Sequence, residues 1–147
     1  MRVVADSHAT FWYLQRSPKL SAPAAQALRE AGHQEIVVPV ATLVDLWYVT
    51  QTAQAITTAN LALVRAALEA SARVDLRVID AAVADAYATI PRSVLRDPSD
   101  RFIVATARTL EVPLVTRDAA IQQAQLVQKR LHCVRPRSSG QVARETA

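Results

Sequence analysis

Short β-branched runs alternate with helix-length segments along most of this chain, and that alternation restricts the fold more than any other feature. The extended runs fall at residues 2–5 (Arg2-Val3-Val4-Ala5), 35–38, 76–79, 112–116 and 131–134. Between them the spacing predicts helices over 8–15, from Ser21 to just before Gly32, over 40–52 and 57–71, over 81–89 and 98–110, and a short one opened by Asp118. Pro23 fits the first turn of the second helix, and Pro18 closes the first. Strands separated by helices return in the same direction, so the sheet is parallel and covered on both faces. The expected fold is α/β: a three-layer α/β/α sandwich with a central, mostly parallel sheet. One domain over 1–134 accounts for the pattern, with no repeat and no long linker. The polar tail, 135–147, is expected to be disordered.

Several classes of function are excluded by what the chain lacks. Its only glycines are Gly32 and Gly140, too few and too far apart for a dinucleotide fingerprint or a phosphate-binding loop. No Gly-x-Ser-x-Gly elbow is present. Cys133 is the sole cysteine, so neither an internal disulfide nor a thiolate zinc site can form, and a reducing cytoplasmic setting is expected. His8, His33 and His132 show no ligand spacing and read as surface or structural residues. No apolar run approaches the roughly 20 residues of a membrane helix, and the first residues read as a strand and not a signal peptide. The net charge of +4, carried almost wholly by arginine, tilts mildly towards a polyanionic partner, although genomic base composition accounts for the arginine equally well.

Carboxylates are left to carry chemistry. Asp6 follows the first strand and also suits the cap of the next helix. Asp45 lies in Leu43-Val44-Asp45-Leu46-Trp47-Tyr48; an acid among such neighbours is costly unless it is paired or bound to metal, or joins a polar stripe with Thr42 and Tyr48. In Asp97-Pro98-Ser99-Asp100 the first acid is a natural N-cap, and Asp100 stands where a capping box reaches back. Asp118 follows the fourth strand, again at a helix start. Asp75, Asp80 and Asp85 read as surface or capping residues. Ligands of open α/β sheets sit beyond the carboxyl ends of the strands, where Asp6 and Asp118 both fall. Crowded carboxylates repel unless a cation neutralises them, and an all-oxygen acidic set suits Mg²⁺ or Mn²⁺.

These motifs resemble those of PIN-domain proteins, in particular VapC-type toxins of bacterial toxin–antitoxin pairs. The likeness runs from Val3 to about Val134: Val4-Ala5-Asp6-Ser7-His8 at the start, Asp45 in the helix after the second strand, Asp97-Pro98-Ser99-Asp100-Arg101 leading into Ile103-Val104-Ala105-Thr106-Ala107, and Thr116-Arg117-Asp118 at the end. The resemblance implies metal-dependent hydrolysis of RNA phosphodiester bonds. It implies Asp6, Asp100 and Asp118 as holders of Mg²⁺ or Mn²⁺ and Asp45 as the fourth catalytic acid, with Asp97 a cap. It further implies a homodimer, an inhibitory antitoxin and a cytoplasmic protein without membrane attachment. Arg101 and Arg117 are candidates for phosphate contact. For Trp12, Trp47 and Tyr48, core packing ranks ahead of dimer or antitoxin contact. One residue departs from the family: Asp45 stands where Glu is usual, one methylene shorter. A PIN-fold binding module with a weakened site is therefore the first alternative. A receiver-like phosphoacceptor domain is the second; it fits less, since that family carries an acidic pair after its first strand and a late lysine before a proline, whereas here Asp6 is followed by Ser7 and the late strand ends in Thr116-Arg117.

Overall fold

The computed structural model describes residues 1–52, 56–124, 126–127 and 130–132, the last three by backbone alone. In chain order the elements are β1 (Val3–Ala5), α1 (Ser7–Leu14), α2 (Ala22–Glu30), β2 (Ile36–Pro39), α3 (Ala41–Thr52), α4 (Thr58–Ala70), β3 (Val74–Arg77), α5 (Ala81–Ala88), α6 (Pro98–Leu110), β4 (Leu114–Thr116), α7 (Ala119–Ala124) and β5 (Arg130–His132). The strands form one sheet in the order β3-β2-β1-β4-β5, with every pairing parallel. The tail expected to be disordered, 135–147, lies outside the described residues, as do Cys133 and Val134 at the end of the expected last strand.

Alternation along the central strands builds the three layers. Val3 and Ala5 face a core made with Ala9 and Trp12 of α1, Leu28 of α2 and Leu68 of α4. Val4, Val37 and Leu114 face the other way, onto Val83 of α5, Ile103 and Ala107 of α6 and Ile121 of α7. Strands this short carry both sets of apolar residues because neither sheet face meets water. Arg73 ties the first layer together: its guanidinium donates to the carbonyls of Leu28, Arg29 and Ala31 at the C-terminus of α2, and to Tyr13 Oη at 2.9 Å. A cation there satisfies orphan carbonyls and complements the helix dipole.

The third strand falls two residues earlier than the sequence predicts, at Val74–Arg77 and not 76–79. Val74 to Arg77 pair in register with Ile36 to Pro39, whereas Val78 and Ile79 are exposed in the loop. Asp80 fixes that boundary. It caps α5 by accepting from Val83 N at 2.9 Å, and the chain must leave the sheet before it. Asp75 is neither a cap nor a free surface acid: it lies within β3 and pairs with Arg2.

Candidate functional site

The first three strands run outward from β1 on one side and β4 and β5 continue on the other, so the strand order reverses between β1 and β4. In open α/β sheets, ligands bind at such a reversal, outside the strands' carboxyl ends. Asp6 stands there. Its backbone N–H extends the sheet by donating to Val115 O at 3.0 Å, and its side chain caps α1, with Oδ1 accepting from Ala9 N at 2.7 Å. Oδ2 accepts from Arg117 N at 3.3 Å, and the Thr116 hydroxyl adds a further hydrogen bond. Asp6 is therefore both a cap and a buried acid at the switch point. Burial raises its pKa, and the hydrogen bonds from Thr116 and Ala9 only partly oppose this.

Asp118 reaches the same region from the end of β4. Its amide donates to Thr116 Oγ1 at 3.0 Å, and its Oδ1 accepts from Ile121 N at 3.0 Å at the start of α7. Asp97 caps α6 by accepting from Asp100 N at 3.2 Å. Asp100 does not return a hydrogen bond to residue 97, so the capping box is not closed. Its carboxyl is held among acids, with its pKa raised to about 7, first by burial and then by the charges of Asp118, Asp97, Asp45 and Asp6. The charges of four other acids thus act on this one carboxyl.

Asp45 joins them from α3, and its surroundings correct the expectation from sequence. It is half-buried, while its neighbours Val44, Trp47 and Tyr48 are exposed, so the apolar run around it is not a buried one. A specific partner holds it: Ser7 Oγ donates to Asp45 Oδ2 at 2.5 Å. The ranking of Trp47 and Tyr48 as core residues is likewise corrected, at 45% and 58% exposure; Trp12 alone of the three is buried. A cleft of about 540 Å³ lies beside Asp45, lined by Val40, Val44, Tyr48, Ile79, Asp97 and Phe102 among others.

Three groups at this site were not singled out by sequence reasoning. Ser7 and Thr116 hold Asp45 and Asp6, and adjacency to Asp6 and Asp118 was the available signal. His8 is exposed, as expected of a surface residue, yet it belongs to the site's electrostatic field. Its pKa is lowered by burial and by Arg117, against the pull of Asp6, Asp118 and Asp45. The two arginines differ. Arg101 lies over the Tyr87 ring at 4.6 Å, while exposed Arg117 lies over Trp12 at 5.3 Å.

The PIN domain family model matches residues 3–126. The chain belongs to the PIN domain family. This agrees with the resemblance drawn from the motifs and sets aside the receiver alternative. No curated protein matches this PIN domain. Among solved structures it is similar to FitAcB from Neisseria gonorrhoeae, at 20% identity and a TM-score of 0.59, covering 88% of this chain and 96% of that one. It is also similar to VapBC2 from Rickettsia felis bound to a promoter DNA fragment, at 12% identity and a TM-score of 0.65, covering 90% and 99%. VapBC-5 from Mycobacterium tuberculosis, of the VapBC toxin–antitoxin family, shares 20% identity over 90% of this chain and 99% of that one, with a TM-score of 0.57. At these identities the likeness speaks for the fold. Among the described residues no helix is long and apolar enough to cross a membrane.

The acids of this PIN domain fit a hard divalent cation in donor type and charge: every side chain is a carboxylate, and their mutual repulsion is relieved only by a positive ion or by protons. Among the described residues, no three His, Cys, Asp or Glu side chains stand close enough together to make a ready-formed ligand cluster.

Proposed function

We propose that this PIN domain is a metal-dependent endoribonuclease and the toxin of a toxin–antitoxin pair. Asp100 carries the reading: burial and the charges of Asp118, Asp97, Asp45 and Asp6 raise its carboxyl to about 7, and acids perturbed in this way concentrate at functional sites. Asp6, Asp100 and Asp118 would hold Mg²⁺ or Mn²⁺, which when bound acidifies water and offsets charge on phosphoryl oxygens. Asp45, steadied by Ser7, completes the acidic set and orients the attacking water. Asp6 is fixed by Ala9 N, Arg117 N and Thr116, so its carboxylate is preorganised and needs little rearrangement when substrate arrives.

Two observations support a protein partner. The similar structures include VapBC complexes, and one from Klebsiella pneumoniae is described as a toxin–antitoxin complex. The exposed apolar side chains of Val44, Trp47 and Tyr48 on α3, beside the acidic site, give an antitoxin or a second copy a surface to cover. A homodimer that functions in the cytoplasm is part of this reading.

The test is cleavage of single-stranded RNA with Mn²⁺, with Mg²⁺ and with EDTA, by the wild type and by Asp6→Asn and Asp100→Asn. Cleavage that needs metal and disappears in both variants supports the assignment. A folded wild type that is inactive with either ion would leave a PIN-fold binding module, the reading that the shorter Asp45 favours.

A further inference from the structure

Beside the acids, one buried indole carries three polar groups on its edges. Trp12 is only 5% exposed, so it offers no surface for a base to stack on. The Arg117 guanidinium lies 5.3 Å from its ring, the Lys19 ammonium 5.8 Å, and the His8 ring centroid 5.8 Å at a tilt of 57°. His8, Lys19 and Arg117 are all exposed. Among the described residues neither Arg117 nor Lys19 forms an ion pair. Both cations lie against the same indole, and an aromatic face returns only a modest attraction at an exposed site. Neither charge is neutralised by an acid among the described residues, so both are left to take up an anion.

The position of the group fixes which anion fits. Arg117 stands between Thr116 and Asp118, and its amide already holds Asp6. Lys19 lies beyond the far end of α1, past Pro18. The cations thus begin at the acidic centre and lead away from it along α1. His8, two residues after Asp6, lies against the same indole, and the Arg117 amide donates to Asp6 Oδ2, so the two zones adjoin. A polymer with a negative charge at each repeat matches this arrangement, with one phosphate at the acidic centre and its neighbours over the cations.

We propose that Arg117 and Lys19, mounted on Trp12 with His8 beside them, form a track for the phosphate backbone of single-stranded RNA on one side of the scissile bond. The proposal rests on the nuclease reading for its substrate but makes a separate claim about binding. Arginine suits the first contact, since its planar fork takes two phosphate oxygens at once. Contacts of this kind set register and direction without reading sequence.

Binding is measured by fluorescence anisotropy with a labelled oligouridylate, in calcium, over a salt series, with the RNA checked for intactness on a gel. Arg117→Gln and Lys19→Gln are each expected to weaken Kd by about threefold to tenfold at low salt and to reduce the slope of log Kd against log salt by about 0.7. Arg117→Lys should recover the slope and part of the affinity. Arg29→Gln, an exposed charge on α2, is the control for net charge. An unchanged slope in both track variants, or an equal fall in Arg29→Gln, would overturn the track. So would unchanged RNA binding with loss of binding to polyglutamate, which would assign the groove to an acidic peptide. Cleavage is scored separately. A track-dependent affinity with no cleavage by the wild type defeats the nuclease reading alone, and cleavage with unaltered binding in the variants defeats the track alone.

Discussion

The Ser7 hydroxyl donates to Asp45 Oδ2 at 2.5 Å, and a neutral donor at that distance makes a charge on a half-buried carboxylate cheaper to keep. A shorter acid on α3 that is bound to α1 in this way has its position set by two elements. Ser7→Ala is expected to lower kcat for RNA cleavage by about tenfold with a melting shift of at most a few degrees, and Ser7→Thr to retain most of it. A Ser7→Ala enzyme with full kcat would show that the contact serves folding alone. Asp45→Asn should lose most cleavage while stability stays equal or rises, since one repelling charge is removed. Retained cleavage with stability lowered by about 1–3 kcal/mol would make Asp45 structural. Asp100 gives a pH dependence of definite sign. Its folded pKa of about 7 lies above the 3.8 of an unperturbed aspartate, so between those limits the folded state binds more protons than the unfolded one. Metal-free protein should therefore lose the Asp100 contribution to stability as pH rises from about 4 to 7; Asp6, also raised, acts in the same direction, and His8, lowered, opposes them below about 6.5. Melting in EDTA across that range checks this, and Asp100→Asn should flatten the curve.

Helix ends carry much of this fold's local information. Asp6, Ser21, Thr57, Asp80 and Asp97 each cap a helix with a side-chain oxygen, and Pro occupies the first turn of α2 and α6. Such signals are local and polar, so they are legible without tertiary knowledge, and they placed most elements within a residue or two. The slip at β3 has the opposite cause. Val78 and Ile79 are apolar but exposed, whereas Asp75 enters the sheet because Arg2 neutralises it from across the edge. Local hydrophobicity cannot anticipate a distant partner. The same limit applies to Asp45, whose apolar neighbours proved exposed and whose contact with Ser7 spans separate helices. Asp6, Asp100 and Asp118 stood out in the sequence because each sits at a strand end or helix start, and Asp45 because it lies in an apolar run; their shared field did not, since it depends on where α3 and α6 cross the sheet. Two stability tests belong to this scale. Glu111 ends α6 with φ 55°, in the left-handed region that disfavours a side chain, and Glu111→Gly is expected to raise stability by about 0.5–1 kcal/mol. Arg73→Ala removes a buried-edge cation from three carbonyls and should cost about 2–4 kcal/mol by denaturant unfolding. A near-neutral Arg73→Ala would mean that water replaces it at the α2 terminus.

For the molecule as a whole, the parallel sheet and the acidic site are in tension. The strand order reverses between β1 and β4, and Asp6 and Asp118 follow those two strands, while burial and the charges of neighbouring acids make an ionised Asp100 costly to hold. A divalent ion bound to the native state reverses the sign of that interaction. Since the unfolded chain has no assembled site, the ion should stabilise by mass action, by about 2.7 kcal/mol at one hundred times its Kd. For a domain of this size a gain of that order raises the melting temperature by roughly 5–15 °C. Scans with EDTA, Mg²⁺ and Mn²⁺ are therefore expected to separate, and to separate further near pH 8, where protons no longer compete for Asp100, than near pH 5. Asp6→Asn and Asp118→Asn should reduce the metal effect in proportion to the affinity each removes. In EDTA the same variants should melt at or above the wild type, because a neutral side chain relieves the crowding while Asn caps a helix about as well as Asp. Superimposable melts with and without metal at pH 8 would count against a cation site here. Variants that melt lower in EDTA by several degrees would show that the acids serve the caps first and the ion second.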